Sequence, residues 1–331
     1  MSPDIIRAPN HVGDLVMSIP ALNAAPHADV VVPSFLAPLL GLVPRDGAII
    51  PVDRRKIVGG ARAIRRARAA VGAPATHGVL LTRSFSAAAM LKLGGVRKLR
   101  GVDTDGRRML LSSVVGQSVF AGRARSSAYM ELVTGHRPAD PPVPSIPITA
   151  EQIESWWEHA GLEAGPAVGM FPGGNAPSRR WEIERYAEVV ARLAESTRVI
   201  VFGGPAEREA TRAVAGSAGI DMGGRTTLPM LAAALAACDL LITNDSGPLH
   251  IGAAVGTRTL SLWGAGNPNE TGVPGAAHAL LRHPELPCVP CVRNECPRHG
   301  AGYVLPEARN ECLRLIAVPD VLSAAQTMLT R

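Results

Sequence analysis

The stretch DLLITNDSGPLHIGAAVGTRTLSLWG, residues 239–264, decides the fold of this 331-residue chain. Residues 239–243 read as an apolar strand, 244–248 as a tight polar turn, the small residues that follow as a helix, and the run ending at Trp263 as a second strand. Strand, turn, helix and strand in that order form one unit of a parallel sheet. The turn also gathers glycine, a hydroxyl and unpaired backbone N–H groups at the carboxyl end of a strand and the amino end of a helix, where a phosphate is favourably held. The expected ligand is a phosphate ester. An ordinary βα turn stays open as the other reading, because such turns are commonly built with Asp, Ser and Gly.

The same alternation runs outward in both directions. Short apolar runs at 4–8, 29–32, 48–52, 78–82 and 98–102, then at 167–171, 198–202, 239–243 and 258–262, are separated by helical stretches. This predicts an α/β protein with two parallel sheets covered by helices. Five prolines within RPADPPVPSIPIT, residues 137–149, predict an extended connection, with domains at 1–145 and 150–331. Neither a G-x-G-x-x-G turn nor a G-x4-G-K-[ST] loop is present, which argues against a dehydrogenase or a P-loop enzyme.

Charge divides across that connection. Residues 1–150 carry 19 Lys+Arg against 9 Asp+Glu, net +10, whereas 151–331 carry 15 against 19, net −4. The imbalance predicts a polyanionic partner or an anionic membrane surface facing the first domain. The run KIVGGARAIRRARAAVG, residues 56–72, concentrates it in Arg62, Arg65, Arg66 and Arg68, although a solvated basic helix face reads the same way. With few aromatics to stack on bases and no nucleic-acid module, nucleic acid is not the expected polyanion. No basic-then-apolar leader and no membrane-length apolar run is seen, so a soluble cytoplasmic protein is expected.

Three segments carry a family resemblance. IIRAPNHVGDLVMSIPAL (5–22) is similar to the N-x-V-G-D start of glycosyltransferase family 9, the ADP-heptose:lipopolysaccharide heptosyltransferases. GMFPGGNAPSRRWEIERYAEVVARL (169–193) resembles its P-G-(x)n-[KR]-R-W loop, and D-S-G-P-x-H within 239–264 its donor-binding loop. The resemblance implies a GT-B architecture of two Rossmann-like domains facing one another across a cleft. It further implies that the first domain binds the acceptor and the second the nucleotide sugar.

Sugar transfer from a nucleotide diphosphate needs a base for the acceptor hydroxyl and positive or N–H groups for the leaving diphosphate. On residue type alone, Asp14 is a helix N-cap or a base; the resemblance makes it the catalytic aspartate. Asn10 would orient substrate in the same turn, and His11 reads as structural. Ser246, Gly247 and the helix end supply neutral donors, and Arg179, next to Arg180, supplies a charge able to grip a phosphate in two places. Asp245 would repel phosphate and suits sugar hydroxyls or the fixing of the loop, with His250 behind it. In VIVFGGPAEREATRAV (199–214), Gly203 allows close approach and Glu207 is placed for a ribose diol, though acids favour a first helical turn anyway. MGGRTTLPML (222–231) resembles a further family element, with Gly224 and Thr226 as base or ribose contacts. LTRSFSAA (81–88) resembles its acceptor loop, with Arg83 and Ser84 as contacts.

Cys288, Cys291, Cys296 and Cys312 form C-x2-C-x4-C-x15-C in an irregular, Pro-rich segment, while Cys238 sits among apolar residues. In a cytoplasmic protein this spacing suits a tetrahedral metal rather than disulfides, with four unligated thiols as the other reading. Zinc and iron both accept four thiolates, and with no open ligand position the role would be structural. Many family 9 members share a similar cluster, and the related autotransporter heptosyltransferases resemble it in having an iron-binding cysteine finger. No catalytic metal is expected, since no D-x-D-like pair is present.

These expectations converge on an inverting glycosyltransferase that moves heptose from ADP-heptose to an anionic lipopolysaccharide core acceptor, peripheral at the cytoplasmic face of the inner membrane. The alternatives are heptosylation of a protein, a GT-B isomerase of nucleotide sugars, and a non-catalytic binding protein.

Overall fold

The computed structural model describes residues 2–296 and 310–330. The chain divides into two compact units, Met1–Ile146 and Pro147–Arg331. The first contains strands β1 (Ile5–Arg7), β2 (Asp29–Pro33), β3 (Ile49–Val52), β4 (His77–Leu80), β5 (Lys98–Val102) and β6 (Ser113–Val115). Its helices are α1 (Val12–Asn23), α2 (Ala37–Leu40), α3 (Ile57–Val71), α4 (Phe85–Leu93) and α5 (Arg125–Thr134). All strand pairs are parallel, in the order β3-β2-β1-β4-β5-β6. β1 and β2 are buried at every position, as a parallel strand covered by helices on both faces must be.

The second unit has β7 (Ala167–Phe171), β8 (Arg198–Val201), β9 (Ile220–Asp221), β10 (Leu240–Asn244), β11 (Arg258–Trp263) and β12 (His278–Arg282). Its helices are α6 (Ala150–Ala160), α7 (Ile183–Leu193), α8 (Arg208–Ala215), α9 (Leu228–Ala236), α10 (Gly247–Ala254), α11 (Pro268–Thr271), α12 (Glu311–Arg314) and α13 (Val318–Leu329). The sheet order is β12-β11-β10-β7-β8-β9, again parallel throughout. Counted from its own first strand and read from the opposite edge, this is the order of the first sheet. In each unit the chain reverses its direction of travel across the sheet between the first and fourth strands. Ligands bind α/β sheets at such a switch point, beyond the carboxyl ends of the strands. The loops there are 8–11 and 81–84 in the first unit, and 172–182 and 245–246 in the second.

α7 buries one apolar face: Tyr186, Val190 and Leu193 are buried with Val189, and Ile183 packs beside them against β7, β8 and β10. At roughly 1.5–3 kcal/mol per large side chain removed from water, this stripe outweighs helix propensity in fixing α7. The Pro-rich connection ends at a capped helix. Thr149 Oγ1 accepts from Gln152 N (3.3 Å), and Gln152 Oε1 accepts from Thr149 N (2.8 Å).

β6, β9 and β12 were not anticipated from the sequence; each lies at or next to a sheet edge and is two to five residues long. The basic run also differs from expectation. Within α3, Arg65 donates Nε to Leu93 O (2.9 Å), and Arg68 donates Nη1 to the buried Asp29 Oδ2 (2.9 Å), so only Arg62 and Arg66 of the four present an exposed charge without such an anchor among the described residues. Among the described residues, no helix is long and apolar enough to cross a membrane.

Candidate active site

In the first unit, β1 delivers the chain into α1, whose N-cap is His11, so Asp14 stands in the first helical turn and is not the cap. Its carboxylate accepts from elsewhere: the Tyr129 hydroxyl on α5 donates to Asp14 Oδ1 at 2.9 Å. Burial first, and then the nearby Asp14 charge, push the Tyr129 phenol well above its ordinary value of 10.0, which keeps it a donor. Asp14 itself is partly exposed. The fully buried Arg7 donates Nη2 to Asn10 Oδ1 (2.7 Å), so Asn10 is held by a cation under the turn.

The loop 81–84 after β4 approaches the same place. Arg83 lies over the Phe120 ring at 5.2 Å and Arg125 of α5 at 4.9 Å, a pair of guanidiniums on one aromatic. Phe120 in turn meets Tyr129 edge-on, with centroids 6.0 Å apart. Arg83 and Arg125 both oppose the rise of the Tyr129 pKa, so they stand within electrostatic reach of the Asp14–Tyr129 pair. Ser84 has a local role: its Oγ accepts from Ala87 N (3.3 Å) as the N-cap of α4. Underneath, Arg107 donates Nη1 to Thr82 O (2.6 Å) and Nε to Val102 O (2.9 Å), its pKa lowered to about 10 by burial.

In the second unit, Asn244, the last residue of β10 and fully buried, ties both ends of the 172–182 loop and α7 to its own strand end. Its Oδ1 accepts from Trp181 N (3.1 Å) and Tyr186 Oη (2.9 Å), and its Nδ2 donates to Pro172 O (2.7 Å) and Gly173 O (3.2 Å). Beyond it, Ser246 is the N-cap residue of α10 but makes no capping bond to that helix among the described residues. Its hydroxyl instead lies 3.4 Å from that of Thr243. The amino end of α10, opened by Gly247 and Pro248, therefore offers N–H and hydroxyl donors to a ligand. His250 is buried one turn into the helix.

Arg179 sits in a single 3-10 turn, Pro177–Arg179, and its Nη1 lies 3.0 Å from Asp245 Oδ2. The distance is that of an ion pair, yet the angle makes no hydrogen bond, and among the described residues both Arg179 Nε and Asp245 Oδ2 are without one. Burial pushes the Asp245 carboxyl up from 3.8 to about 6 against the pull of Arg179. Gly266 closes over the carboxylate: a side chain there would collide with Asp245 Oδ2. Asp245 thus faces Arg179 as an ion-pair partner, while about a quarter of the Arg179 side chain stays exposed.

Several residues assigned to donor binding have structural partners. Glu207 Oε1 accepts from Gly174 N (3.0 Å) and Oε2 from Gly204 N (2.7 Å), so the carboxylate clasps two Gly-rich turns together. A Cβ on Gly173 would collide with that carboxylate. Gly203 makes room for Thr211 and the Glu207 stem, not for a ligand. Arg180 is exposed and donates Nε to Gly174 O (2.6 Å). Gly224 has φ +68 and donates its N–H to Gly203 O (2.7 Å), a conformation that requires glycine. Thr226, next to this turn, is half-buried.

Cys288, Cys291, Cys296 and Cys312 line one pocket with Ser178, Ala265 and Asn310. Burial and then the other three cysteines push the Cys312 thiol up to about 11. The expected closed metal site is not formed: among the described residues no three His, Cys, Asp or Glu side chains are arranged to hold an ion. The donor set suits a thiophilic metal, but its sulfurs are gathered rather than closed. Cys238 is buried, as expected, and its thiol is raised to about 12.

Comparison with known proteins fits this geometry. The sequence profile of glycosyltransferase family 9 (heptosyltransferase) matches residues 64–301. Lipopolysaccharide heptosyltransferase 2 of Escherichia coli is 25% identical over 301 residues, covering 81% of this chain and 84% of that one. Lipooligosaccharide heptosyltransferase 2 of Campylobacter jejuni is 28% identical over 171 residues, 49% of this chain, and the match spans about half (50%) of that relative's length. The structure of E. coli ADP-heptose lps heptosyltransferase II superimposes with a TM-score of 0.81 at 22% identity, over 98% of each chain. That likeness establishes the GT-B fold.

Proposed function

Because the chain belongs to glycosyltransferase family 9, we propose that it moves heptose from ADP-heptose to an anionic, lipid-linked sugar of the lipopolysaccharide core, with inversion at the anomeric carbon. The observation that carries this reading is the uncapped amino end of α10 at a switch point, with Arg179 held beside it by Asp245. The diphosphate takes the N–H and hydroxyl donors at Ser246 and Gly247 and the exposed edge of Arg179. Charge growing on the leaving ADP is then met by donors already in place.

In the first unit Asp14 is the base. The acceptor hydroxyl gives its proton to Asp14 as its oxygen bonds to the anomeric carbon and the bond to the diphosphate oxygen breaks, and one such displacement inverts the centre. Tyr129 occupies Oδ1 and leaves Oδ2 to take the proton. Arg83 and Arg125, mounted on Phe120, grip the acceptor's anionic groups. The excess of positive charge in residues 1–150 supports a lipid-linked anion at the cytoplasmic face of a membrane. A zinc or iron ion at the four cysteines would cross-link residues 288–296 to α12 and take no part in transfer.

A thermal-shift and hydrolysis screen of nucleotide sugars tests the donor, and Asp14→Asn tests the base. ADP-heptose should stabilise the protein most, by mass action, and Asp14→Asn should keep that shift while losing about a hundredfold or more in turnover. A UDP-sugar ranked first removes the heptosyltransferase reading, and normal turnover in Asp14→Asn removes the base.

A further inference from the structure

The cysteine-lined segment is fastened to both sides of the Arg179–Asp245 pair. Ser178, 2% exposed, donates Oγ to Arg293 O (2.5 Å) and its backbone N–H to Asn294 O (3.1 Å). Asn310 donates Nδ2 to Pro177 O (3.0 Å). On the other side, Val292 N–H donates to Ala265 O (2.7 Å), one residue before the Gly266 that closes over Asp245. Ser178 and Ala265 themselves form part of the wall of the cysteine pocket.

The turn that carries Arg179 needs such fasteners. Three residues of 3-10 helix have too few internal hydrogen bonds to hold a direction. On the carboxyl side the turn is anchored by Trp181, which is buried, bonded to Asn244 and donating Nε1 to Ile316 O (3.2 Å). On the amino side, the described polar anchors of Pro177 and Ser178 outside the turn come from the residues flanking the cysteines.

We propose that the cysteine-lined segment is a positioning element for the donor's diphosphate, acting through Ser178 and Asn310 on the placement of Arg179. This rests on the reading of Arg179 as a diphosphate contact.

The test is titration calorimetry of the full chain with ADP, together with steady-state kinetics. Ser178→Ala and Asn310→Ala, the latter at a half-buried position, should each raise the ADP Kd about fivefold, the loss expected for one hydrogen bond. The donor KM should rise with it, while the acceptor KM stays unchanged. Ser178→Thr, which keeps the hydroxyl, should restore affinity. The deciding measurement is the double variant: if Ser178 works through Arg179, Ser178→Ala should add nothing to the loss seen in Arg179→Ala. Additive losses, or full ADP affinity in both Ser178→Ala and Asn310→Ala while Arg179→Ala is impaired, overturn the positioning role. Unchanged ADP affinity in Arg179→Ala overturns instead the donor reading beneath it.

Discussion

A carboxylate is left able to act as a base or is tied up as a structural acceptor according to what its oxygens already hold, and the two units differ in this. Glu207 has both oxygens on backbone N–H groups of the chain, whereas Asp14 has one on Tyr129. Tyr129→Phe should therefore lower turnover by about tenfold through lost orientation, with donor Kd unchanged; kinetics with separated kcat and KM read this directly, and unchanged kcat would leave Tyr129 as packing alone. Asp245 shows a third case. Its folded pKa of about 6 lies above its ordinary 3.8, so the stability it contributes is full below pH 3.8 and is lost as pH rises through 6. Asp245→Asn has no such titration, so its stability relative to wild type should improve steadily between pH 4 and 7. Urea midpoints of both proteins across that range check the sign, and a constant difference would mean Asp245 is not strained by burial. None of these partnerships was legible in the sequence. Tyr129 lies 115 positions from Asp14 and Trp181 lies 63 from Asn244, distances that no local pattern connects.

At the scale of elements, the strands that carry the site were legible because each is an uninterrupted apolar run ending in small or polar residues, as 167–171 and 239–243 show. The strands that escaped have exposed or half-buried positions, as Ser113–Val115 and Ile220–Asp221 do, and look like loops to any hydrophobicity argument. Glycines were legible as turns but not by purpose. Gly203 suggested room for a ligand, and the structure fills the space beside it with the chain's own Thr211 and Glu207, as Glu207 also fills the space beside Gly173. Gly173→Ala should accordingly displace the Glu207 clasp between two turns, costing about 1–3 kcal/mol, as overpacking does. The expected readout is a lower Tm together with weaker ADP binding. An alanine variant with wild-type Tm and affinity would show that Glu207 can move aside without consequence.

For the whole molecule, the two units repeat one strand order and differ in charge, and under the proposed function that charge suits them to different ligands. Residues 147–150 are uncharged, so the net +10 and −4 of the two halves belong equally to the two units. In the proposed reaction both substrates are anions, but the second unit would meet its ligand with a few fixed donors at short range, while the first would present a diffuse positive field around Arg83 and Arg125. Short, partly buried contacts are screened little by salt, whereas a field extending beyond the Debye length is screened strongly. Raising ionic strength from about 0.05 to 0.5 M, where that length falls several-fold, should therefore raise the acceptor KM several-fold and leave the donor KM within about twofold. Turnover at saturation should stay level, since the base and the leaving-group donors act at contact distance. Steady-state kinetics over a salt series with each substrate varied in turn make the comparison. Equal salt dependence of the two KM values would mean that the positive charge of the first unit serves some purpose other than the acceptor, and would return Arg62 and Arg66 to a merely solvated helix face.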